Sequence, residues 1–340
     1  MPAVKDPTPV SPSIGAMNSW PGYARMQSHQ ILLYLLAIAT GVLTGLALPA
    51  AAPALQSAIN PFLALLLYAT FLSMPLTKLA GALGDIRFMG ALMLANFVAV
   101  PLVVFALTRF IAHDKALLFG VLLVLLAPCV DYVIVFTGLA GGDSHKLLAA
   151  TPLLLVLQVL LLPVFMYLFA GPATTGLIEP EPFVRSLLGL IVLPLAAAAI
   201  TQMITRKYSE FAVVGDWADY LMVPLMMGTL FSVVGSQIHG VAAQISSLFQ
   251  AIMIFALFIL LMAFIAWAIG RIFKLGIQSL RAVAFSGVTR NSLVVLPLAL
   301  ALPVELAFAS TVVVTQTLVE LLGMLLMVRF IPALIRQKSN

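Results

Sequence analysis

Apolar runs of roughly 20 residues recur along the chain from Gln30 onward, separated by short polar stretches. That is the length a helix needs to cross about 30 Å of hydrocarbon. The pattern predicts ten membrane-spanning helices, at 30–50, 60–81, 88–111, 116–139, 147–170, 181–204, 217–238, 245–271, 280–301 and 307–332. Pro and Gly interrupt the stretches 54–81 and 116–139, but helix remains the reading, because lipid offers no water to bare backbone groups.

Two predicted spans carry a polar break at mid-length, Pro128-Cys129-Val130-Asp131 and Thr289-Arg290-Asn291-Ser292. Five spans precede the loop at 171–182 and five follow it, and an odd number per half places the halves in opposite orientations. The third span of each half, 88–111 or 245–271, reads as a long uninterrupted apolar helix, and the fourth holds the break. Paired interruptions at matching places in two inverted halves point to a carrier's substrate site. The expected fold is an all-α integral membrane protein: ten transmembrane helices as two inverted five-helix repeats, with helices 4 and 9 broken and crossing. Its expected parts are a disordered cytoplasmic tail at 1–29, repeats at 30–170 and 182–335, and a linker at 171–181.

Composition fixes the solvent. The chain is 63% hydrophobic and only 9% charged, whereas a soluble domain carries about 25% charged residues. The basic residues fix the orientation. With the N-terminus cytoplasmic, that side holds Lys5, Arg25, Lys78, Arg87, Lys146, Arg206, Lys207, Arg271, Lys274, Arg281, Arg329, Arg336 and Lys338. Only Arg109, Lys115 and Arg185 fall opposite, and Arg290 lies within a span. This bias predicts both termini in the cytoplasm of a multi-pass cytoplasmic (inner) membrane protein. The net charge of +5 then reflects topology and implies no nucleic-acid partner; the partners expected are membrane lipid and a small-molecule substrate. Residues 1–29 read as a tail rather than a signal peptide, whose apolar region is shorter than the run that follows here.

The single cysteine excludes an internal disulfide and a CxxC metal site. His29, His113, His145 and His239 fall at helix ends or in loops, with no HExxH spacing. No phosphate-binding loop is present, so ATP-driven transport by this chain alone is not expected. No cofactor is implied.

The chemistry concentrates in the breaks. Asp131 suits a helix cap after Pro128 and equally a proton or cation site, the usual role of a carboxylate at membrane depth. Arg290 stays protonated and needs a partner: Asp131 in the opposite break, or Glu320 in the last span. It reads either as half of a structural ion pair or as a fixed charge that attracts an anion or replaces a transported cation. Glu320 is expected to face the bundle interior. Cys129 reads as a small core residue or as a soft ligand for a metalloid. Asn291 and Ser292, with Thr137, Ser286 and Thr289, supply neutral polar groups beside the breaks. An intramembrane cysteine enzyme is not expected, because the thiol has no histidine base within a span.

On these features the chain resembles the bile acid/arsenite/riboflavin transporter superfamily over about residues 30–335. The likeness rests on the two five-span halves and on Pro128-Cys129 followed by Thr137-Gly138-Leu139-Ala140-Gly141-Gly142-Asp143. Pro-Cys here is most similar to the arsenical-resistance-three arsenite exporters, where the fourth-span cysteine is tied to metalloid transport; that role would fall to Cys129. The ninth-span family stretch Asn-Asn-Phe-Glu is matched only by Asn291, with Arg290 replacing the first asparagine and Leu293 the glutamate. Against the sodium ligands of the bile-acid branch, Ser286 and Arg290 occupy the Glu and Gln places, and Val133 and Ile134 a Ser–Asn pair. The resemblance thus implies an exporter of arsenite or a related trivalent metalloid, coupled to protons and not to sodium. The alternative is a carrier for a small organic anion. The substrate-binding residues expected are Cys129, Asp131, Arg290, Asn291 and Ser292, with Asp131, Arg290 and Glu320 as the coupling or charge-paired set.

Overall fold

The computed structural model describes residues 23–73, 85–130, 132–171, 175, 181, 185 and 188–335. Asp131, the tail before Tyr23, the end of the predicted 60–81 span and most of the linker lie outside the described residues. A short α1 (Tyr23–Ser28) leads into α2 (Gln30–Ala47) and α3 (Ala52–Ser73). Next come α4 (Ile86–Leu94), a π-helical turn (Ala95–Ala99) and α5 (Val100–Thr108). A broken pair follows, α6 (Lys115–Leu125) and α7 (Val133–Leu139), then α8 (Ser144–Ala170). Beyond the linker lie α9 (Leu193–Lys207), α10 (Ala212–Ala243) and α11 (Ile245–Ile272). The chain ends with a second broken pair, α12 (Ile277–Val288) and α13 (Ser292–Leu300), and α14 (Phe308–Leu334).

Seven of these stretches are long and apolar enough to cross a membrane. The other three predicted spans differ: 181–204 is helical from Leu188 to Lys207, and 116–139 and 280–301 are each two half-helices around a break. The long apolar helix expected at 88–111 runs from Ile86 to Ile111, with one change of winding. A π-helical turn falls within it at Ala95–Ala99, adding a residue to the turn and rotating Asn96 into the bundle.

Aspartates start the helices by a common device. Oδ1 of Asp85, Asp114 and Asp143 accepts the N–H of Phe88, Leu117 and Lys146 at 3.1, 2.9 and 3.0 Å. Each satisfies a donor that a first helical turn leaves bare, beside the positive end of the helix dipole.

The helices pack as two groups. In the first, α10 lies along α2 and α3, and α9 also packs on α3; in the second, α4 to α8 surround α11 to α14. The groups touch where α10 meets α14 and α11 and where α3 meets α13. Within the first group the backbones come into contact at Gly41, Gly45 and Gly235, four-residue spacing on α2 against a glycine of α10. A Cβ on Gly41 would stand 2.9 Å from the Phe231 carbonyl oxygen, and one on Gly45 would collide with Gly235 O and Ile238 Cγ2. Such small-residue contacts hold helices together where lipid supplies no hydrophobic drive. Gly45→Val is therefore expected to force α2 off α10 and destabilise the fold by about 1–3 kcal/mol, the usual cost of overpacking. Thermal unfolding in detergent checks this, and an unchanged melting temperature would refute the close contact.

Candidate functional site

The first break has a covalent cause. Pro128 has no N–H to give, so α6 ends at Leu125 and the chain is non-helical through Cys129 and Val130. The second break contains no proline and is held open by partners. Cys129 N–H reaches Thr289 C=O at 3.4 Å and Asn291 N–H reaches Ala127 C=O at 2.8 Å, which makes an isolated antiparallel bridge between Pro128 and Arg290. Asn291 Oδ1 then caps α13 by accepting the Val294 N–H at 3.3 Å. The two breaks therefore cross and are hydrogen-bonded to each other.

Arg290 is fully buried at this crossing. Its Nη2 donates to Ser286 C=O at 2.6 Å, Gly287 C=O at 2.9 Å and Asn96 Oδ1 at 3.0 Å, and Nη1 reaches Leu125 C=O at 3.4 Å. Phe258 lies under the guanidinium, 5.5 Å from ring centre to Cζ, within range of a cation–π contact. Three of the four oxygens are carbonyls at the C-terminal ends of α6 and α12, where helix dipoles concentrate negative charge. Asn96 is held by its own contacts: Nδ2 donates to Leu92 C=O at 3.1 Å and to Ser286 Oγ at 2.9 Å.

The guanidinium does not pair with Glu320, one of its two expected partners; the other, Asp131, lies outside the described residues. Among the described residues the guanidinium meets no carboxylate within salt-bridge range. Glu320, also fully buried, takes the backbone of Arg290 instead: Oε2 accepts the Arg290 N–H at 2.8 Å and also the Gln316 side-chain amide. Its Oε1 accepts the Tyr132 hydroxyl at 2.7 Å, and that hydroxyl stands 3.2 Å from Arg290 C=O. Glu320 thus joins α14 to both breaks.

Of the residues singled out by sequence, Cys129, Arg290, Asn291, Ser292 and Glu320 all lie buried at or beside the crossing; Asp131 lies outside the described residues. Ser292 opens α13 next to Tyr132. Among the described residues, four buried polar atoms there have no hydrogen-bond partner: Arg290 Nε, Asn291 Nδ2, Ser292 Oγ and Gln316 Oε1. Sequence reasoning missed Asn96, Tyr132 and Gln316. An asparagine and a glutamine inside apolar runs were the available signals; Tyr132 gave none, being an ordinary residue for a membrane helix.

At one end of the broken helices a polar cavity of about 410 Å³ opens, lined by Gly141, Asp143, Lys146, Gln278, Ser279 and Arg281. Lys146 Nζ pairs with Asp85 at 2.7 Å and with Ser279 Oγ at 3.2 Å. The hydrogen bond from Lys146, with the Phe88 N–H, holds the Asp85 carboxyl below its usual value. Arg281 ties the α7–α8 loop to the end of α14, donating to Ala140 C=O at 2.9 Å and Ile335 C=O at 3.0 Å.

Seven apolar helices packed around a buried polar crossing define a multi-pass membrane protein of the transporter class. Residues 60–276 match the Sodium Bile acid symporter family, and the chain belongs to it. That family consists of secondary transporters. A search of curated proteins finds no match to the chain. The family match includes Cys129 and Asn96 and ends before Arg290 and Glu320.

Proposed function

We propose that the protein exports arsenite, or a related trivalent metalloid, across the cytoplasmic membrane, coupled to protons and independent of sodium. In this reading the ten predicted spans form two inverted five-helix repeats whose broken fourth and ninth helices make the substrate site. The observation that carries the metalloid reading is Cys129, buried in the first break and tied by its N–H to the second. Trivalent arsenic is soft and favours sulfur, and arsenite is an uncharged trihydroxide at neutral pH. One As–S bond forms as the thiol proton and one hydroxyl leave together as water. The remaining hydroxyls need hydrogen bonds, and Asn291 Nδ2 and Gln316 Oε1 offer a donor and an acceptor.

Sodium independence is supported by the surroundings of Arg290. A sodium ion needs several oxygen ligands, and unwound backbone carbonyls with half-helix C-terminal ends commonly supply them in carriers. Here such a cluster of oxygens is filled by the guanidinium. The same occupancy weighs against the organic-anion alternative, since the Nη2 donors are committed to protein oxygens.

Uptake into everted membrane vesicles tests the reading. Arsenite and antimonite are expected to accumulate when a pH gradient is imposed, equally in sodium and potassium media, with no uptake of organic anions. Uptake that rises with external sodium would overturn the coupling, and organic-anion uptake without arsenite uptake would overturn the substrate.

A further inference from the structure

Glu320 has hydrogen-bond partners of two kinds. The Arg290 N–H and the Gln316 amide nitrogen can only donate, so they hold Oε2 as an acceptor whether the carboxyl is charged or neutral. The Tyr132 hydroxyl can donate or accept and rotates freely about its C–O bond. It lies between two oxygens, Glu320 Oε1 at 2.7 Å and Arg290 C=O at 3.2 Å.

With Glu320 ionised, the hydroxyl donates to Oε1 and completes the carboxylate's set of three donors. When a proton from water binds Oε1, the carboxyl donates to the Tyr132 oxygen, and the hydroxyl hydrogen turns to Arg290 C=O. The carboxyl is then hydrogen-bonded in both protonation states without movement of any non-hydrogen atom, and Arg290 C=O receives the Tyr132 hydrogen only when the proton is bound. A carboxylate serving only as a brace needs one such arrangement, and leaving the other unsatisfied would lock it.

We propose that Glu320 is the group that carries the coupled proton, and that Tyr132 is its positioning partner, turning between Glu320 and the Arg290 carbonyl as the proton comes and goes. This rests on the proton-coupled reading above and assigns its site. Among the described residues, the titratable and charged groups around Glu320 are Arg290 from one break and Tyr132 from the other, with Cys129 beside those two. With the proton absent, the carboxylate offsets the arginine charge. With the proton bound, that offset is lost and the second break gains a hydrogen bond at Arg290 C=O. Loading of the proton is thereby felt at the backbone that carries the substrate residues.

The test is an infrared pH titration of the purified protein in lipid vesicles, which needs no substrate. Wild type is expected to show a protonated-carboxyl C=O band that grows as pH falls. Glu320→Gln should lack it, and Tyr132→Phe should keep it at a higher frequency, because the carboxyl has lost its acceptor. In transport, Glu320→Gln is expected to keep substrate-for-substrate exchange while losing all acceleration by a pH gradient. A titrating Glu320 band in a protein that carries no arsenite supports the proton site and removes only the proposed substrate. Arsenite transport driven by pH with no titrating Glu320 band overturns the proton site and leaves the substrate standing. Where Glu320→Gln does not fold, the frequency shift of the band in Tyr132→Phe assigns it, and a band that Tyr132→Phe leaves unmoved overturns the proposal.

Discussion

Arg290→Ala is expected to abolish transport, to lower stability by about 3–5 kcal/mol, the usual loss when a buried charge is removed from its partners, and to make the remaining stability depend on sodium. The substitution deletes donors that reach four buried oxygens, those of Leu125, Ser286, Gly287 and the Asn96 side chain. Each buried acceptor left bare costs about 1–3 kcal/mol before relaxation. The vacated place is lined by oxygens at two helix C-termini, which favours a small cation. Melting curves in sodium chloride and potassium chloride should coincide for the wild type and separate for the variant. Arg290→Lys should fall between them, since one ammonium cannot reproduce the planar spread of guanidinium donors. Curves that separate in the wild type as much as in the variant would show that sodium binds elsewhere and that Arg290 does not take its place.

Cys129→Ser is expected to remove arsenite tolerance from cells that lack other exporters, while leaving the fold intact. Serine keeps the shape of the side chain and the backbone bond to Thr289, so the melting temperature should barely move. What is lost is the sulfur. A fall in tolerance of at least about tenfold, equivalent to about 1.4 kcal/mol in site affinity, is the expected reading. Unchanged tolerance would refute the role of the thiol. Combined with loss of organic-anion uptake on Arg290→Ala, it would move the assignment to an anion carrier.

The positions of both breaks were legible because each interrupts a long apolar run with residues that lipid rejects. Their crossing was expected from the matching places in the two halves, and the Pro128–Arg290 bridge gives it a physical form. The partners that Arg290 has among the described residues were not legible. Sequence offers carboxylates as partners for a buried arginine, but backbone carbonyls are invisible to it, and here carbonyls at two helix ends supply most of the contacts. Asn96 was missed for a related reason. On a regular helix its bearing follows from spacing, but the π-helical turn at Ala95–Ala99 shifts that bearing, and nothing in the surrounding apolar residues announces the turn. Glu320 was placed correctly in the bundle interior, yet its attachment to the Arg290 backbone rather than its guanidinium depends on where the break leaves an N–H unpaired.

The bridge between Pro128 and Arg290 also limits how the transporter moves. Both breaks, one from each half of the chain, are stitched at Ala127–Asn291 and Cys129–Thr289, so neither can swing open alone without exposing bare amides to the bundle interior. In the proposed reading the crossing carries its substrate as one unit, and opening toward either side of the membrane comes from sliding between the two groups of helices.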